Sequence, residues 1–575
     1  MQRNKSTKKV EQIEKISQSG DDITYSITSV MNKFGIKSVI KPFDVLKRSG
    51  ALVSTITMTL IILPFITKGS VWDLFSNGLN KDDEGKKDSF YELKNNTKVN
   101  WRALLYGIAK RFQVLASSSY DEATKQIRAI ILDDTTVTKT GKHIEGTGYV
   151  HDHVSGRFVL GFKILVSGYW DGVSFIPIDF SIHREKRDGE LKKAQNRIEK
   201  KKDQIKHIQE YKKEIVTRID TLNGQIKKLK TLKPSKTHQK QLLAKMRMLE
   251  NNQNKLTSTE QKTEEQQQSL YFLENTYYEL KKQSGKCGLK VEEYSEQFKK
   301  QRQRNTAGYK RKKEIDSNKI DSAISMIKRA LRNGFEFEYV LTDSWFFCGK
   351  LLKFIDSLGK KIHLVSMAKM GNAKYKLLPS NKYMSSKQIL ALYKRKVHAN
   401  RRYKAKYIKI QVEYQGIRIV LFFVNIGKGE NWRLLVSTDN NISFNKLMEV
   451  YKIRWTIEVF FKEAKQYLLL GKSQSQYFDA QIADTTLSFI RYILLSYYER
   501  IHYGMSIGGL FQKLSQASVE ENLVADLSHI FMNLLQAFAQ LAGIDFMTLY
   551  EELIRKPQCQ ESINKLKLFP QIMSA

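Results

Sequence analysis

Between residues 186 and 310 the sequence turns rich in Lys, Glu and Gln and poor in Pro and Gly, and its apolar residues take up a heptad. Ile198, Ile205, Ile208, Ile215, Ile219, Leu222, Ile226 and Leu229 all fall on a and d positions, the pattern of a coiled-coil seam. Pro234 breaks the helix, and Leu242, Met246, Leu249, Leu256 and Leu270 carry a weaker heptad beyond it. This predicts a helical hairpin with antiparallel arms. The flanking segments are strand-like, so the hairpin reads as an insertion into an α/β domain. Basic residues outnumber acidic ones about two to one along it, which favours contact with DNA over a solvated spacer. A dimerising arm is the other use such a hairpin could have.

On either side of this insertion the apolar runs are short. QIRAIILDD, GRFVLGFKILVSGYW and VSFIPIDFSI are three strand candidates, the first closing on two aspartates. SAISMIKRAL follows as a helix, then FEFEYVLTD as a fourth strand ending in Asp, then KIHLVSMA as a fifth. Together they predict a mixed α/β sheet, spread over residues 121–185 and 311–370. Residues 371–440 read as a small β module: Ile408, Ile410 and Val412 alternate on one face, QG turns, and IRIVLFFVN and RLLVST follow. That stretch also carries the basic run YKRKVHANRRYKAK. Residues 1–120 look helical after a polar start, 441–475 hold a helix, and 476–575 look helical to the end.

The formal net charge is +38, larger than solubility requires, and its simplest partner is nucleic acid. Three widely spaced cysteines exclude a disulfide framework and a thiolate zinc cluster, and suit a reducing compartment. The opening MQRNKSTKKVEQ has no apolar core, so a signal peptide is not expected. The run from Ala51 to Thr67 is apolar but rich in Thr and broken by Pro64. A membrane span takes about 20 apolar residues, so a buried helix is the expectation. The reading is a cytoplasmic, DNA-facing protein with no membrane partner.

Asp133 and Asp134 close one strand candidate and Asp343 another, and strand ends at one edge of an α/β sheet are where sites form. Asp also ends strands simply as a turn former. A third carboxylate comes from VYKIRWTIEVFFKEAKQYLLLG, expected as one helix from Val450 to about Leu470. Ile453, Ile457, Phe460, Phe461, Ala464 and Leu468 form its apolar stripe. Tyr451, Arg454, Glu458, Lys462 and Lys465 share the other side at steps of three and four. Oxygen ligands suit Mg²⁺, and three carboxylates can hold two ions about 4 Å apart, one on each side of a scissile phosphate. Asp134, Asp343 and Glu458 are the expected ligands, with Asp133 the alternative at the first position, since neighbouring strand residues face opposite ways. Arg454 and Lys465 would neutralise nearby phosphates.

The spacing Tyr451–x2–Arg454–x3–Glu458–x6–Lys465 resembles the YREK signature of the insertion-sequence-four (IS-four) family of bacterial DDE transposases. IIL-Asp133-Asp134-Thr135-Thr136 resembles that family's first catalytic motif, in which the second acidic position carries the metal, and YVLT-Asp343 resembles the second. NWRLLVST resembles the strand whose Trp, here Trp432, stacks on a flipped-out base. The resemblance covers roughly residues 125–180 and 335–470. It implies an RNase H-like α/β core, two Mg²⁺ ions with Mn²⁺ able to substitute, and double-stranded DNA as substrate. It also implies excision through a hairpin intermediate and a homodimeric synaptic complex, for which the helical C-terminal region is a plausible interface. One departure is the interval from Asp134 to Asp343, 209 residues (343 − 134), which the inserted hairpin accounts for. A junction resolvase would share the carboxylates without the YREK face. A non-catalytic, transposase-derived DNA-binding protein is the remaining alternative, and three intact carboxylates argue against it.

Overall fold

The computed structural model describes residues 27–559 apart from 47–48, 68, 80–84, 118–125, 232–234, 360, 379, 428, 430 and 502–504, and apart from the side chains of 501, 519–530 and 554. The expectation for the polar start, and Pro234 itself, lie outside the described residues. The chain forms two compact units, one of residues up to 146 with 161–183 and 298 onward, the other of 147–160 and 184–297.

The first unit is built on a mixed sheet. Its strands are β1 (Ala129–Thr138), then, after β2 (Gly148–Asp152) of the second unit, β3 (Arg157–Trp170), β4 (Phe175–His183), β5 (Tyr339–Thr342) and β6 (His363–Ala368). The remainder are β7 (Lys374–Leu377), β8 (Tyr383–Ser385), β9 (His398–Asn400), β10 (Ala405–Tyr414), β11 (Ile417–Ile426) and β12 (Trp432–Ser437). The order is β4-β3-β1-β5-β6-β12-β11-β10-β7-β8, with β9 also on β10. β1 lies antiparallel to β3 and parallel to β5, and β5 parallel to β6. Ala129, Ile130, Ile131 and Leu132 are buried without alternation, as a strand flanked on both edges and covered on both faces requires.

Two expectations change here. β1 does not end at its aspartates. β3 is long enough to pair it through Thr138, whereas the β5 ladder stops with Leu132 opposite Thr342. Asp133 and Asp134 thus stand mid-strand, where the ladder on one side runs out. The β-rich stretch is not a module apart but a continuation of the core sheet, because β12 pairs β6 from Leu434↔Ala368 to Ser437↔Val365. Gln415 at φ 56° and Gly416 at φ 83° make the two-residue turn joining β10 and β11, where both positions need a left-handed backbone.

The helix expected from Val450 to Leu470 is two helices, Phe444–Ile453 and Trp455–Gln466, meeting at Arg454. Ile457, Phe460, Phe461 and Ala464 are its buried face. The Phe460 ring packs on Phe175 of β4 at 5.3 Å and on Tyr492 and Phe489 of the helix Phe478–Ile501 at 4.8 and 5.1 Å. That contact fixes the helix against the sheet.

The apolar run at Ala51–Thr67 is a buried helix, Val53–Ile66, and no described helix is long and apolar enough to cross a membrane. Pro64 lies inside it. Proline has no N–H, so the Leu60 carbonyl loses its helical donor. The buried Arg491 supplies one instead, donating to Leu60 O at 2.6 Å, Ile61 O at 2.9 Å and Leu468 O at 3.1 Å. Burial lowers this guanidinium to about 10. One arginine thereby ties the N-terminal helix to the loop after Trp455–Gln466.

In the second unit, helices Gly189–Lys230 and Lys236–Gln283 lie side by side. Lys201 reaches Gln266, Lys202 reaches Glu274 and Lys212 reaches Glu260, each at 2.8 Å. From Lys202 to Lys212 the partner falls back from Glu274 to Glu260, the sense of antiparallel packing. Ile198, Ile205, Ile215, Leu222 and Ile226 are the buried positions of the first arm. The second arm's seam includes Thr259, buried, and Gln266, while Met246 faces out at 49% exposure. Polar residues at seam positions are why its heptad is faint in the sequence. Residues 298–306 pack in the first unit rather than with the hairpin: Phe298 N donates to His143 O, and Arg302 pairs with Glu145 at 2.6 Å and Asp479 at 2.9 Å.

Arg491→Met leaves the Leu60 and Leu468 carbonyls without this donor and takes a second donor from Ile61, at about 1–3 kcal/mol for each carbonyl that stays buried and unsatisfied. Urea unfolding should show a loss of several kcal/mol. Pro64→Ala restores an N–H for Leu60, so the double variant should lose less than the sum of the two single changes. Simple additivity would separate Arg491 from Pro64.

Candidate active site

The parallel register of β1 and β5 sets the centre of the site. Leu132 and Thr342 are paired, so Asp133 and Asp343 are the next residues on adjacent strands. Asp343 is anchored from below, where its Oδ1 accepts the N–H of Trp345 at 2.9 Å and of Phe346 at 3.4 Å. Asp133 Oδ1 accepts the Asp134 N–H at 2.8 Å.

Arg454 brings in the helix. Its Nη1 lies 3.2 Å from Asp133 Oδ2 and its Nη2 2.6 Å from Glu458 Oε1. The side chain starts at the joint between two helices, where Arg454 is C-cap of the first and N-cap of the second. Tyr451 is half-buried, its ring centroid 5.7 Å from the Arg454 guanidinium, and burial raises its phenol.

Asp134 pairs with a residue that the sequence patterns did not single out. Lys319 Nζ hydrogen-bonds Asp134 Oδ2 and sits 4.9 Å from the centre of the Trp345 ring. The helix Lys319–Arg332 is fixed further along by Arg329, which donates to Asp179 at 2.7 Å. Asp179 is itself buried among Arg102 at 2.8 Å and Tyr106 at 3.1 Å. Only a spatial neighbour could have marked Lys319, since 185 residues separate it from Asp134.

The electrostatics follow from crowding. Burial, then Asp343, then Asp134 push the Asp133 carboxyl up to about 7. Burial also raises Asp343, with Asp134 adding to it. Burial and then Lys319 lower the His183 ring to about 4, and Ser181 Oγ lies 2.6 Å from its Nε2. Asp133, Asp134, Asp343 and Glu458 therefore form one electrostatic group with Arg454 and Lys319 set among them.

The remaining expected residues lie around this group or apart from it. Trp432 is half-buried at the start of β12. β12 runs antiparallel to β6, so Trp432 falls at the edge where β5 ends and its pairing with β1 stops. Three strand spacings from β1 to β12 amount to about 14 Å. Lys462 is exposed and Lys465 half-buried on the helix Trp455–Gln466.

Among the described residues no three His, Cys, Asp or Glu side chains are arranged to hold a metal ion. The donor chemistry does fit a hard divalent cation: the donors are all oxygen, and one carboxyl stands near 7 in a cluster short of positive charge. Three oxygens of this cluster, on Asp133, Asp134 and Glu458, are engaged by basic side chains instead.

Residues 312–494 match the family model of a transposase DDE domain. The match supports a DDE transposase over that stretch, which contains Asp343, Trp432, Arg454 and Glu458 and leaves out Asp133 and Asp134. No curated protein matches the chain. Among solved structures it is similar to the piggyBac transposase synaptic complex with hairpin DNA, at 11% identity and a TM-score of 0.34, over 88% of this chain and 82% of that one.

Asp133 supplies a pH test. Its folded value near 7 lies above the ordinary aspartate value of about 3.9, so the folded chain keeps a proton that the unfolded chain has lost. The associated stability is present below pH about 4 and is lost as pH rises through 7. In chelator, urea unfolding from pH 4 to 8 should show this decline, with a limiting slope of about 1.4 kcal/mol per pH unit. Asp133→Asn should flatten it. An unchanged slope would remove Asp133 from the group.

Proposed function

We propose that this chain is a DNA transposase of the IS-four, YREK type, which cleaves element ends and joins them to target DNA. The observation that carries the proposal is Arg454 bridging Asp133 and Glu458 where the pairing of β1 with β5 stops, within and next to the stretch matching a transposase DDE domain. An RNase H-like core is supported by the strand order β4-β3-β1-β5-β6, three antiparallel strands followed by two parallel ones.

In this reading Asp134, Asp343 and Glu458 hold two Mg²⁺ ions, or Mn²⁺ in their place. When bound, the ions activate the attacking oxygen and stabilise the leaving oxygen of a phosphodiester. The chain's own residues do the rest. Arg454 orients Glu458 and offers its fork to a phosphate. Tyr451 backs Arg454, Lys462 and Lys465 meet the strand beyond, and Trp432 stacks on a base displaced from the duplex. Stacking returns about 1–3 kcal/mol against an unstacking cost of a few kcal/mol. The +38 charge draws in double-stranded DNA, with a strong dependence on salt. Two ends call for two active sites, hence a homodimer. Such a protein works in the cytoplasm at the nucleoid.

Purified protein with Mg²⁺ and DNA carrying the element's own ends should give nicked, hairpin and excised products. Asp134→Ala, Asp343→Ala or Glu458→Ala should each abolish all three and leave DNA binding intact. Near-normal cutting by any one would sink that residue's assignment, and cutting confined to branched DNA would favour a junction resolvase. Trp432→Ala should spare the first nick and reduce hairpin and excised species. Equal loss of every product would make Trp432 a folding residue.

A further inference from the structure

Lys319 is the residue at this site with no reason of its own to be where it is. It opens the helix Lys319–Arg332, directly after the cap Asn318, whose Oδ1 accepts the Ile320 N–H at 2.8 Å. The first turn of a helix carries partial positive charge and favours acidic side chains, so a lysine there is mildly destabilising. Two contacts offset this, the Asp134 carboxylate and the face of Trp345. Lys319 and Asp134 are both largely buried, at 16% and 17% side-chain exposure. The pair is therefore screened less than a surface pair would be.

We propose that Lys319 is an internal competitor of the divalent ion: its ammonium holds Asp134 in the ion-free chain and yields it only when DNA is present. The inference rests on the reading of Asp134 as a ligand. An ammonium hydrogen-bonded to a carboxylate oxygen and a divalent ion at about 2.1 Å from the same oxygen exclude one another by space and by charge. Metal entry requires Lys319 to leave. Its side chain is a hydrated point charge on a flexible stem, suited to moving onto a phosphate, and the indole of Trp345 remains beside it as a second seat. DNA phosphate and metal then load together, because each removes what opposes the other. Trp345, 45% exposed and two residues past Asp343, lies on the open side of this exchange.

Competition lowers apparent affinity by the fraction of molecules in which the site is free. If Lys319 holds Asp134 in about nine molecules of ten, removing it tightens binding about tenfold. The experiment is Mn²⁺ binding to the full chain, followed by the loss of the free-ion electron paramagnetic resonance signal. It is run without DNA and with a short duplex of arbitrary sequence. Wild type should bind weakly alone and about tenfold more tightly with the duplex. Lys319→Met, which keeps the aliphatic stem, should bind tightly alone and gain little from DNA. Lys319→Gln provides a second variant if the first does not fold, with thermal melting as the check on both. A folded Lys319 variant that binds Mn²⁺ no better than wild type overturns the inference. Asp134→Asn separates the two levels. If it abolishes the DNA-dependent gain while the Lys319 variants change nothing, only the competitor role falls. If it leaves Mn²⁺ binding untouched, the ligand assignment falls with it.

Discussion

Carboxylates gathered at a half-buried sheet edge repel one another, and the neighbourhood of the site is organised to contain that repulsion. Arg454 and Lys319 are the two cations that do so, and each arrives from a different direction. Arg454 reaches inward from the joint between two helices, and the second of them is held against the sheet by Phe460 among Phe175, Phe489 and Tyr492. Lys319 needs its helix start fixed against the sheet, and Arg329 on buried Asp179 contributes to that. Removing one partner of a buried charge pair leaves the other uncompensated, which costs more than the pair itself adds to stability.

The sheet explains why distant parts of the chain can meet at this edge. β1 and β5 are more than 200 residues apart, yet their parallel register lines up Asp133 and Asp343 without any residue of the hairpin taking part. The helical hairpin occupies a compact unit of its own, so the ladder of the first unit is closed by residues on either side of it. The β10–β12 strands behave differently. They join the ladder at β6 and widen the same sheet, which puts the start of β12 on the edge carrying the aspartates.

Much of this was legible because it depends on local pattern. Runs such as AIIL and YVLT announce buried strands, the Ile heptad announces a helical seam, and the Tyr451–Arg454–Glu458 spacing announces one helix face. What stayed hidden depends on tertiary pairing. The sequence of β1 contains nothing that says whether its partner strand is long enough to carry it past Asp134, since that is a property of β3. The helix joint at Arg454 has no proline or glycine to mark it, and neither Lys319 nor the polar seam of the second hairpin arm departs from an ordinary helical surface.

Arg491 and Lys319 illustrate opposite uses of a partly or fully buried cation. Arg491 is satisfied by three neutral carbonyls, one of them left open by Pro64, and its donors are committed to a fixed backbone. Guanidinium geometry suits that role, because its N–H groups diverge at fixed angles toward separate acceptors. Lys319 faces a single charged oxygen and an aromatic ring, neither of which demands a particular direction from an ammonium. Its contacts are strong enough to hold a crowded carboxylate and undirected enough to be exchanged. A lysine at that point leaves the carboxylate available to a competing charge, where an arginine fork would tend to lock it.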